Sequence, residues 1–149
     1  MPDPKFFLFA TVGVFTGAIL AAASVFNAAL AQRVGTLTSM VVLTLIGAAA
    51  MLPILLVFPS AAHFRNLPAP SQWYLYLGGF LGLAVLALLI LLVPRIGAAT
   101  TLVLIVAGQL LMALLLDHFG FLGTPKIELN STRLLGVLFA AIGAFLVAK

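Results

Sequence analysis

Four long apolar runs that contain no charged residue are the feature that most constrains this chain. Each exceeds the roughly 18 residues that mark a membrane-spanning helix, because an α-helix needs about 20 residues to cross a ~30 Å hydrocarbon core. A fifth, shorter apolar run lies close to the C-terminus. The pattern therefore predicts an all-α protein, a polytopic bundle of transmembrane helices that contacts the lipid bilayer.

Composition excludes the other broad classes of protein. Of the 149 residues, 64% are apolar and 7% are charged, whereas a soluble domain has about a quarter of its residues charged and a disordered chain has fewer apolar residues. Only short polar segments separate the apolar runs, which leaves no room for a catalytic or ligand-binding domain outside the membrane. We expect the function to take place within the bilayer.

Five spans are predicted within a single transmembrane domain covering residues 1–149. The first run is too long for the apolar region of a signal peptide, which is roughly 7 to 15 residues, so it counts as a span. The last reaches only about 22 Å along its axis, and we expect Arg133 and Lys149 to extend from its ends to the two interfaces. No internal sequence repeat is detected. The predicted spans are residues 6–32, 38–58, 72–93, 98–118 and 134–148.

The basic residues are divided almost evenly between the two sides of the membrane. A clear excess of Lys and Arg in cytoplasmic loops normally fixes one orientation. Here the split is four against three, which leaves two hypotheses open: one dominant loop decides the orientation, or both orientations are made and pair antiparallel. The N-terminal side, called side A, holds Lys5, Arg65, Lys126 and Arg133, and side B holds Arg33, Arg95 and Lys149.

Glycines recur at helical spacing on three of the predicted spans. Small residues four apart allow helix backbones to approach closely inside a membrane, where water does not drive association. The pattern is typical of helix packing within one chain, and it also suits an interface between protomers or a sliding surface in transport. The glycines concerned are Gly13, Gly17, Gly78, Gly82, Gly136 and Gly143.

A few polar side chains fall at mid-depth and are candidates for a substrate site. Gln109, beside Gly108, lies within a residue or two of the centre of the fourth span, and Thr16 and Thr44 lie within about 5 Å of the midplane. Asn27 lies nearer side B. For the amides the alternative role is an interhelical hydrogen bond, and for the threonines a bond to a preceding carbonyl of the same helix.

Asp117 and His118 end the fourth span on side A and are candidates for coupling or gating. An aspartate at a helix C-terminus opposes the helix dipole, so we expect a cationic partner such as Lys126 or Arg133. The alternative is proton handling, because histidine changes charge near neutral pH and intramembrane carboxylates are often functional.

Several classes of chemistry have no signature in the sequence. The chain has no HExxH, GxSxG or P-loop motif and no cysteine, so we expect no catalytic residue, no metal site and no cofactor, and the protein is predicted not to be an enzyme. The net charge of +4 is scattered along the chain rather than gathered in a patch. Nucleic acid is therefore not an expected partner.

A set of residues spread along the chain forms a pattern known from one protein family. The most specific part is the segment from Gly108-Gln109 to Asp117-His118-Phe119-Gly120. The other matching residues are Asn27, Leu30 and Gly35, then Trp73, Tyr74, Gly78, Gly79 and Gly82, and then Pro94, Arg95, Ile96 and Gly97. In these residues the sequence resembles, over nearly its whole length, the short YdcZ-like branch of the drug/metabolite transporter superfamily. It departs from the family pattern at Ala23, where a glutamine is expected.

This resemblance implies a multi-pass carrier of the bacterial inner membrane, related to ten-span EamA-type transporters that consist of two inverted five-span halves. It implies a substrate site near the midplane, alternating access by rocking of two halves, and a second, antiparallel copy of the chain as the other half. A small molecule, a metabolite or drug, would be the substrate. The competing hypothesis is a membrane assembly factor or a small subunit of a hetero-oligomeric complex that transports nothing itself.

Overall fold

The computed structural model describes residues 4–149, and within them the chain is helical and has no β-strand. The all-α prediction is therefore confirmed. The first four helices are long and apolar enough to cross a membrane, and the fifth is a shorter apolar helix. The helices are α1 (Pro4–Val34), α2 (Thr36–Val57), α3 (Leu77–Ile96), α4 (Ala98–Phe119) and α5 (Ser131–Ala148).

The chain divides into two compact units, of which the first extends to Pro94 and the second runs from Arg95 to Lys149. In the first unit α1 packs against α2, and in the second unit α4 packs against α5. Each pair is built from helices that are adjacent in sequence, which is the arrangement that short connections favour.

Single glycines separate two pairs of consecutive helices. Gly35, between α1 and α2, has φ 86° and ψ 156°, and Gly97, between α3 and α4, has φ 81° and ψ 158°. Residues that have a Cβ are strained at these φ and ψ values, so this backbone conformation is nearly confined to glycine. A bulkier residue at either position would strain the turn.

These two turns share a seven-residue pattern that links their sequence to their geometry. Residues 33–39 read RVGTLTS and residues 95–101 read RIGAATT. In both, a hydroxyl residue four positions after the glycine is buried: Ser39 is 0% exposed and Thr101 1% exposed. The Ser39 hydroxyl donates to the Thr36 carbonyl and the Thr101 hydroxyl to the Gly97 carbonyl, which satisfies each inside its own helix.

The connection between α2 and α3 contains three short 3₁₀ segments, Pro59–Ala61, Phe64–Asn66 and Pro70–Tyr76. The third span was predicted to begin at Gln72, but regular α-helix begins only at Leu77. Gln72 itself has non-helical angles, φ −103° and ψ 27°, which interrupts the helix there. The aromatic residues Trp73, Tyr74 and Tyr76 therefore lie in the 3₁₀ segment that leads into α3.

Helix α5 begins at Ser131, three residues before the start predicted for the last span, because Asn130 caps it. The Asn130 side-chain oxygen accepts a hydrogen bond from the Arg133 backbone N–H at 2.8 Å, which satisfies one of the free donors at a helix start. The 18 residues of α5 extend about 27 Å, closer to the ~30 Å membrane core than the predicted length.

Candidate functional site

Gln109 lies at the centre of α4 and is exposed. Within residues 4–149 its amide makes no hydrogen bond to another side chain or to the backbone, and the neighbouring Gly108 has no heavy atom within 4 Å of where a Cβ would lie. A polar amide with two donors and an acceptor is thus presented beside open space on an apolar helix. Its role in a substrate site stays a prediction.

Asn27 belongs to α1 in the first unit and is half-buried. Among the described residues its side chain, too, has no hydrogen-bond partner. Of the two amide side chains predicted to contact substrate, neither therefore forms a hydrogen bond within the described part of the chain.

Thr16 and Thr44 are exposed, and their hydroxyls donate to carbonyls one turn earlier in their own helices. Thr16 donates to Val12 and Thr44 to Met40, both at 2.8 Å. These bonds satisfy the hydroxyl donors locally, as expected for threonine in a membrane helix. Each hydroxyl oxygen can still accept a hydrogen bond from a ligand.

The six glycines predicted to pack helices are not in tight contacts within the single chain. A Cβ built at any of them meets no heavy atom of another helix or a distant side chain within 4 Å in the described structure. Close backbone approach, which is the reason for small residues at membrane helix interfaces, therefore does not occur at these positions within the unit that contains each glycine. The glycines are Gly13, Gly17, Gly78, Gly82, Gly136 and Gly143.

An open cavity separates α2 from α3 in the first unit, and it is here named the α2–α3 groove. It consists of two adjoining voids of about 600 Å³ and about 550 Å³, which share Thr44 and Leu83. The α2 wall is formed by Leu37, Met40, Val41, Thr44 and Leu45, and the α3 side by Tyr76, Gly79, Phe80, Gly82, Leu83 and Leu86.

Both walls of the groove follow from helical periodicity. On α2, residues 37, 40, 41, 44 and 45 recur at steps of three and four, as do residues 79, 80, 83 and 86 on α3, so each set forms one helix face, and Tyr76 lies just before α3. The α2 wall covers the half of its helix that begins at side B, and the α3 wall covers the half that begins at side A. Thr44 lies about 4 Å along the axis from the midpoint of α2.

At the end of α4, Asp117 forms an ion pair with Arg133 in the first turn of α5. The Arg133 guanidinium donates to the Asp117 carboxylate at 2.5 Å, and both side chains are 28% exposed. The expectation of a cationic partner for Asp117 is confirmed, with Arg133 as the partner. The pair lies at the side A ends of the two helices, away from mid-depth.

The loop that joins α4 to α5 is also hydrogen-bonded to Asp117. The Asp117 carbonyl accepts hydrogen bonds from the backbone N–H of Gly120 at 3.3 Å and of Ile127 at 2.9 Å. Gly120 has φ 63°, the left-handed conformation that commonly ends a helix. Arg133 also donates to the Ile127 carbonyl at 3.5 Å. Asp117 thus joins α4, the loop and α5 through both side chain and backbone.

His118 is half-buried beside this ion pair. Its Nδ1 is buried and has no hydrogen-bond partner within the described residues, and its ring packs edge-on against Phe119 with centroids 5.2 Å apart. Among the described residues no group of three His, Cys, Asp or Glu side chains lies close enough to hold a metal ion. The coupling role assigned to Asp117 and His118 stays a prediction.

From the sequence, Thr44 was predicted for a substrate site, Gly82 for helix packing and Gly79 only as a family match, and the other groove residues were not identified. The signal is present as the spacing of Tyr76, Gly79, Phe80 and Leu83, but apolar residues at that spacing are equally typical of a face that packs against another helix. A gap between two apolar faces is decided by tertiary packing, which periodicity does not report.

Two comparisons with known proteins agree on one family. Residues 8–146 match the family described as "Putative inner membrane exporter, YdcZ". The chain is also similar to the Inner membrane protein YdcZ of Escherichia coli strain K12, with 32% identity over 113 residues, 76% of this chain and 75% of that protein. No solved structure matches.

The chain therefore belongs to the YdcZ family, and the resemblance seen in the sequence is confirmed. It is a multi-pass protein of the inner membrane, in contact with the lipid bilayer. The family description names an exporter, which is a class of transporter rather than of enzyme.

Proposed function

We propose that this member of the YdcZ family is a carrier that moves a small molecule across the inner membrane by alternating access, working as an antiparallel homodimer. Gln109 would contact the polar part of the cargo. The observation that carries the proposal is the Gln109 amide, which lies at the centre of an apolar helix with no partner inside the described chain. In a membrane, such a group needs a partner from a ligand, a second copy or water.

A second copy of the chain supplies what the single chain lacks. The glycine positions of α1, α3 and α5 have room for a close helix neighbour, and glycine faces are what such neighbours use in membranes. The near-even division of Lys and Arg gives the insertion machinery little preference between orientations. An inverted pair is also the arrangement in which many transporters place the cargo at the midplane between repeats.

In such a pair the two Gln109 side chains would both stay near the midplane, because the residue lies at the centre of α4. The two Asn27 side chains would lie toward opposite faces, one on each side of the membrane. Gln109 would therefore contact cargo in the middle of the transport path, and Asn27 would contact it at entry or exit. An uncharged amide suits a polar or weakly charged molecule better than a bare ion that requires a counter-charge.

The test is a ligand-stabilisation screen on the purified protein, followed by transport of each hit into vesicles that contain this protein alone. A compound that binds only the folded state increases the unfolding free energy by mass action, by about 2.7 kcal/mol at a concentration a hundred times its Kd, and therefore raises the melting temperature. The carrier proposal requires a hit that also crosses the membrane in these vesicles. A chain that is folded and binds nothing, or transports only with a second gene product, is instead a partner-dependent subunit.

A further inference from the structure

The boundary between the two compact units falls inside a helix. The first unit ends at Pro94 and the second begins at Arg95, although α3 continues to Ile96. Boundaries between compact units usually lie in exposed, flexible connections. Here the connection consists of the last residues of α3 and the glycine that follows them, residues 94–97, all of which are exposed. This segment is named the 94–97 joint.

Two residues of the joint give its backbone unusual freedom. Pro94 has no backbone N–H, so the Ile90 carbonyl lacks the hydrogen bond that a residue four positions later donates in a regular helix. Gly97 has φ 81° and ψ 158°, and glycine populates a wider range of backbone angles than any other residue. Hinges are typically a few residues at the end of an element that absorb changes in φ and ψ. The joint has this composition and this position.

The turn at Gly35 provides an internal comparison. Its angles, φ 86° and ψ 156°, are nearly those of Gly97, but it lies inside the first unit, where α1 packs against α2. Glycine geometry alone therefore does not produce a boundary between units. One sequence difference is the residue three positions before the glycine, which is Gln32 in the first turn and Pro94 in the joint. A glutamine retains the backbone N–H that proline lacks.

A second difference lies in the size of the buried residues that precede each glycine. Seven and four positions before Gly35, α1 carries Ala28 and Ala31, and the equivalent residues of α3 are Ile90 and Val93, all four of them buried. Alanine allows the next helix to approach the α1 backbone closely, whereas the larger side chains of α3 prevent an equally close approach at the same positions. Close packing of small residues therefore holds the first turn, and the joint cannot be held in the same way.

We propose that the 94–97 joint is a hinge on which the second unit, which carries Gln109, turns relative to the first. The second unit moves as one body because α4 packs against α5 and the ion pair of Asp117 with Arg133 joins their side A ends. The turn of the hinge is the movement that alternates access to the cargo, and this part rests on the proposed carrier function. The existence of the hinge does not, and the two are measured separately.

The size of the movement follows from the length of α4. Its 22 residues place its side A end about 33 Å from the joint. A rotation of about 15°, as in known rigid-body transitions, moves that end by up to about 9 Å. Distances between spin labels resolve a change of this size.

The experiment measures distances between pairs of spin labels by double electron–electron resonance, with the purified full chain in phosphatidylcholine nanodiscs. Labels are attached to cysteines introduced into a chain that has none, and labelled chains are diluted with unlabelled ones so that each distance lies within one copy. The pair of Ser60 with Thr124 spans the joint. One reference pair, Thr11 with Ser60, spans the turn at Gly35, and the other, Ala99 with Thr124, lies within the second unit. All four labelled positions are exposed.

The proposal predicts that the distances from Ser60 to Thr124 extend over about 9 Å, against a single narrow peak for each reference pair. Pro94→Ala restores the missing N–H and should narrow the distribution to the width of the references. Pro53→Ala is the matched control, because it removes a proline from inside α2, away from the joint, and should leave the distribution wide. A narrow distribution across the joint in the unmodified chain, or one that stays equally wide in Pro94→Ala, would overturn the proposal.

Hydrogen exchange gives a second measurement that needs no variant. The last turn of α3, residues 91–96, should exchange its backbone N–H groups at least about tenfold faster than the last turn of α1, residues 29–34, which corresponds to about 1.4 kcal/mol less free energy of local opening. Both segments end at a glycine turn on side B, so their access to water is matched. Equal protection of the two segments would also overturn the proposal.

Transport of the compound found by the stabilisation screen tests the role of the hinge. Pro94→Ala should bind the compound as the unmodified chain does and transport it at least about tenfold more slowly, and Pro53→Ala should bind and transport it normally. Full transport by a Pro94→Ala chain whose distances have narrowed would overturn the role of the hinge in transport and leave the carrier function standing. If the unmodified chain transports nothing, the carrier proposal fails, and the distances alone still decide whether the hinge exists.

Discussion

The Arg133 guanidinium at the start of α5 and the Asp117 carboxylate at the end of α4 are 2.5 Å apart. Each residue alone would be poorly placed, because an acid at a helix C-terminus and a base at a helix N-terminus both oppose the local helix dipole. Together they neutralise one another, and the backbone of Asp117 holds Ile127 of the loop between them. This arrangement makes the ion pair a clamp that fixes α4 to α5 at side A.

The first prediction concerns this clamp. Removing one partner, by Asp117→Asn or Arg133→Gln, leaves the other charge at the wrong helix end, so the double variant should lose less unfolding free energy than the sum of the two single losses. Because both side chains are partly exposed, the coupling energy should be about 1 kcal/mol rather than the larger value of a buried pair. The measurement is a double-mutant cycle of unfolding free energy in detergent.

Glu128→Gln is the matched control for the clamp, because it removes an exposed acid in the same unit for which the structure records no ion pair among residues 4–149. It should leave stability within about 0.5 kcal/mol. If Asp117→Asn behaves like this control in stability and yet abolishes transport, the pair serves transport chemistry rather than helix docking.

The second prediction concerns the cap of α5. Asn130→Ala removes the acceptor for the Arg133 backbone N–H and should lower the unfolding free energy by about 1 kcal/mol. Asn130→Asp retains an acceptor at the same position and should restore most of that loss. Equal melting temperatures for the alanine and aspartate variants would show that the cap contributes nothing to α5.

The third prediction contrasts two glycines of the first unit, Gly35 and Gly47, which both have open space around a built Cβ but differ in backbone conformation. Gly35→Ala places a Cβ at φ 86° and should destabilise the turn by about 1–3 kcal/mol. Gly47→Ala lies in regular helix with open space around its Cβ and should be neutral or stabilising by up to about 1 kcal/mol. Thermal unfolding of both variants gives the comparison, and a well-tolerated Gly35→Ala would contradict the turn geometry.

The fourth prediction concerns orientation. The chain has no cysteine, so a single Cys at Ser60 or at Thr124, both exposed and both on side A, reports orientation without background. In intact cells an impermeant maleimide should label about half of the molecules at each site if both orientations are made. Moving one arginine from side B to side A should shift the ratio strongly, because the present difference is one residue. Labelling of all or none would establish a single orientation.

Much of the fold follows from local sequence signals. The uncharged apolar runs predicted the number and order of the α-helices. Gly35 and Gly97 lie between consecutive helices, at boundaries that the predicted spans already implied. The first residues of α3 and α5 differ from the predicted first residues of the third and fifth spans, in each case for a local reason. Gln72 breaks the helix before Leu77, and the Asn130 cap extends α5 backwards to Ser131.

The candidate site was less accessible to sequence reasoning. Asp117 could be expected to have a basic partner from helix electrostatics, but choosing Arg133 over Lys126 depends on how the loop folds back to Ile127. The groove between α2 and α3 depends on a separation between two helices, and the same residues at smaller separation would be an ordinary packed interface. Tertiary distance, rather than residue type, distinguishes the two.

The most direct test of the carrier account is Gln109→Leu, which nearly preserves side-chain volume, with Gln32→Leu near the end of α1 as a control for removing an amide elsewhere. The quantities measured are the dimer dissociation constant and the binding and transport of the compound found by the screen. The account predicts a dimer constant changed by no more than about threefold, the equivalent of 0.6 kcal/mol, with binding and transport lost, and a control that behaves like the unmodified chain. A weakened dimer that still binds and transports the compound would contradict it, since Gln109 would then be a packing residue.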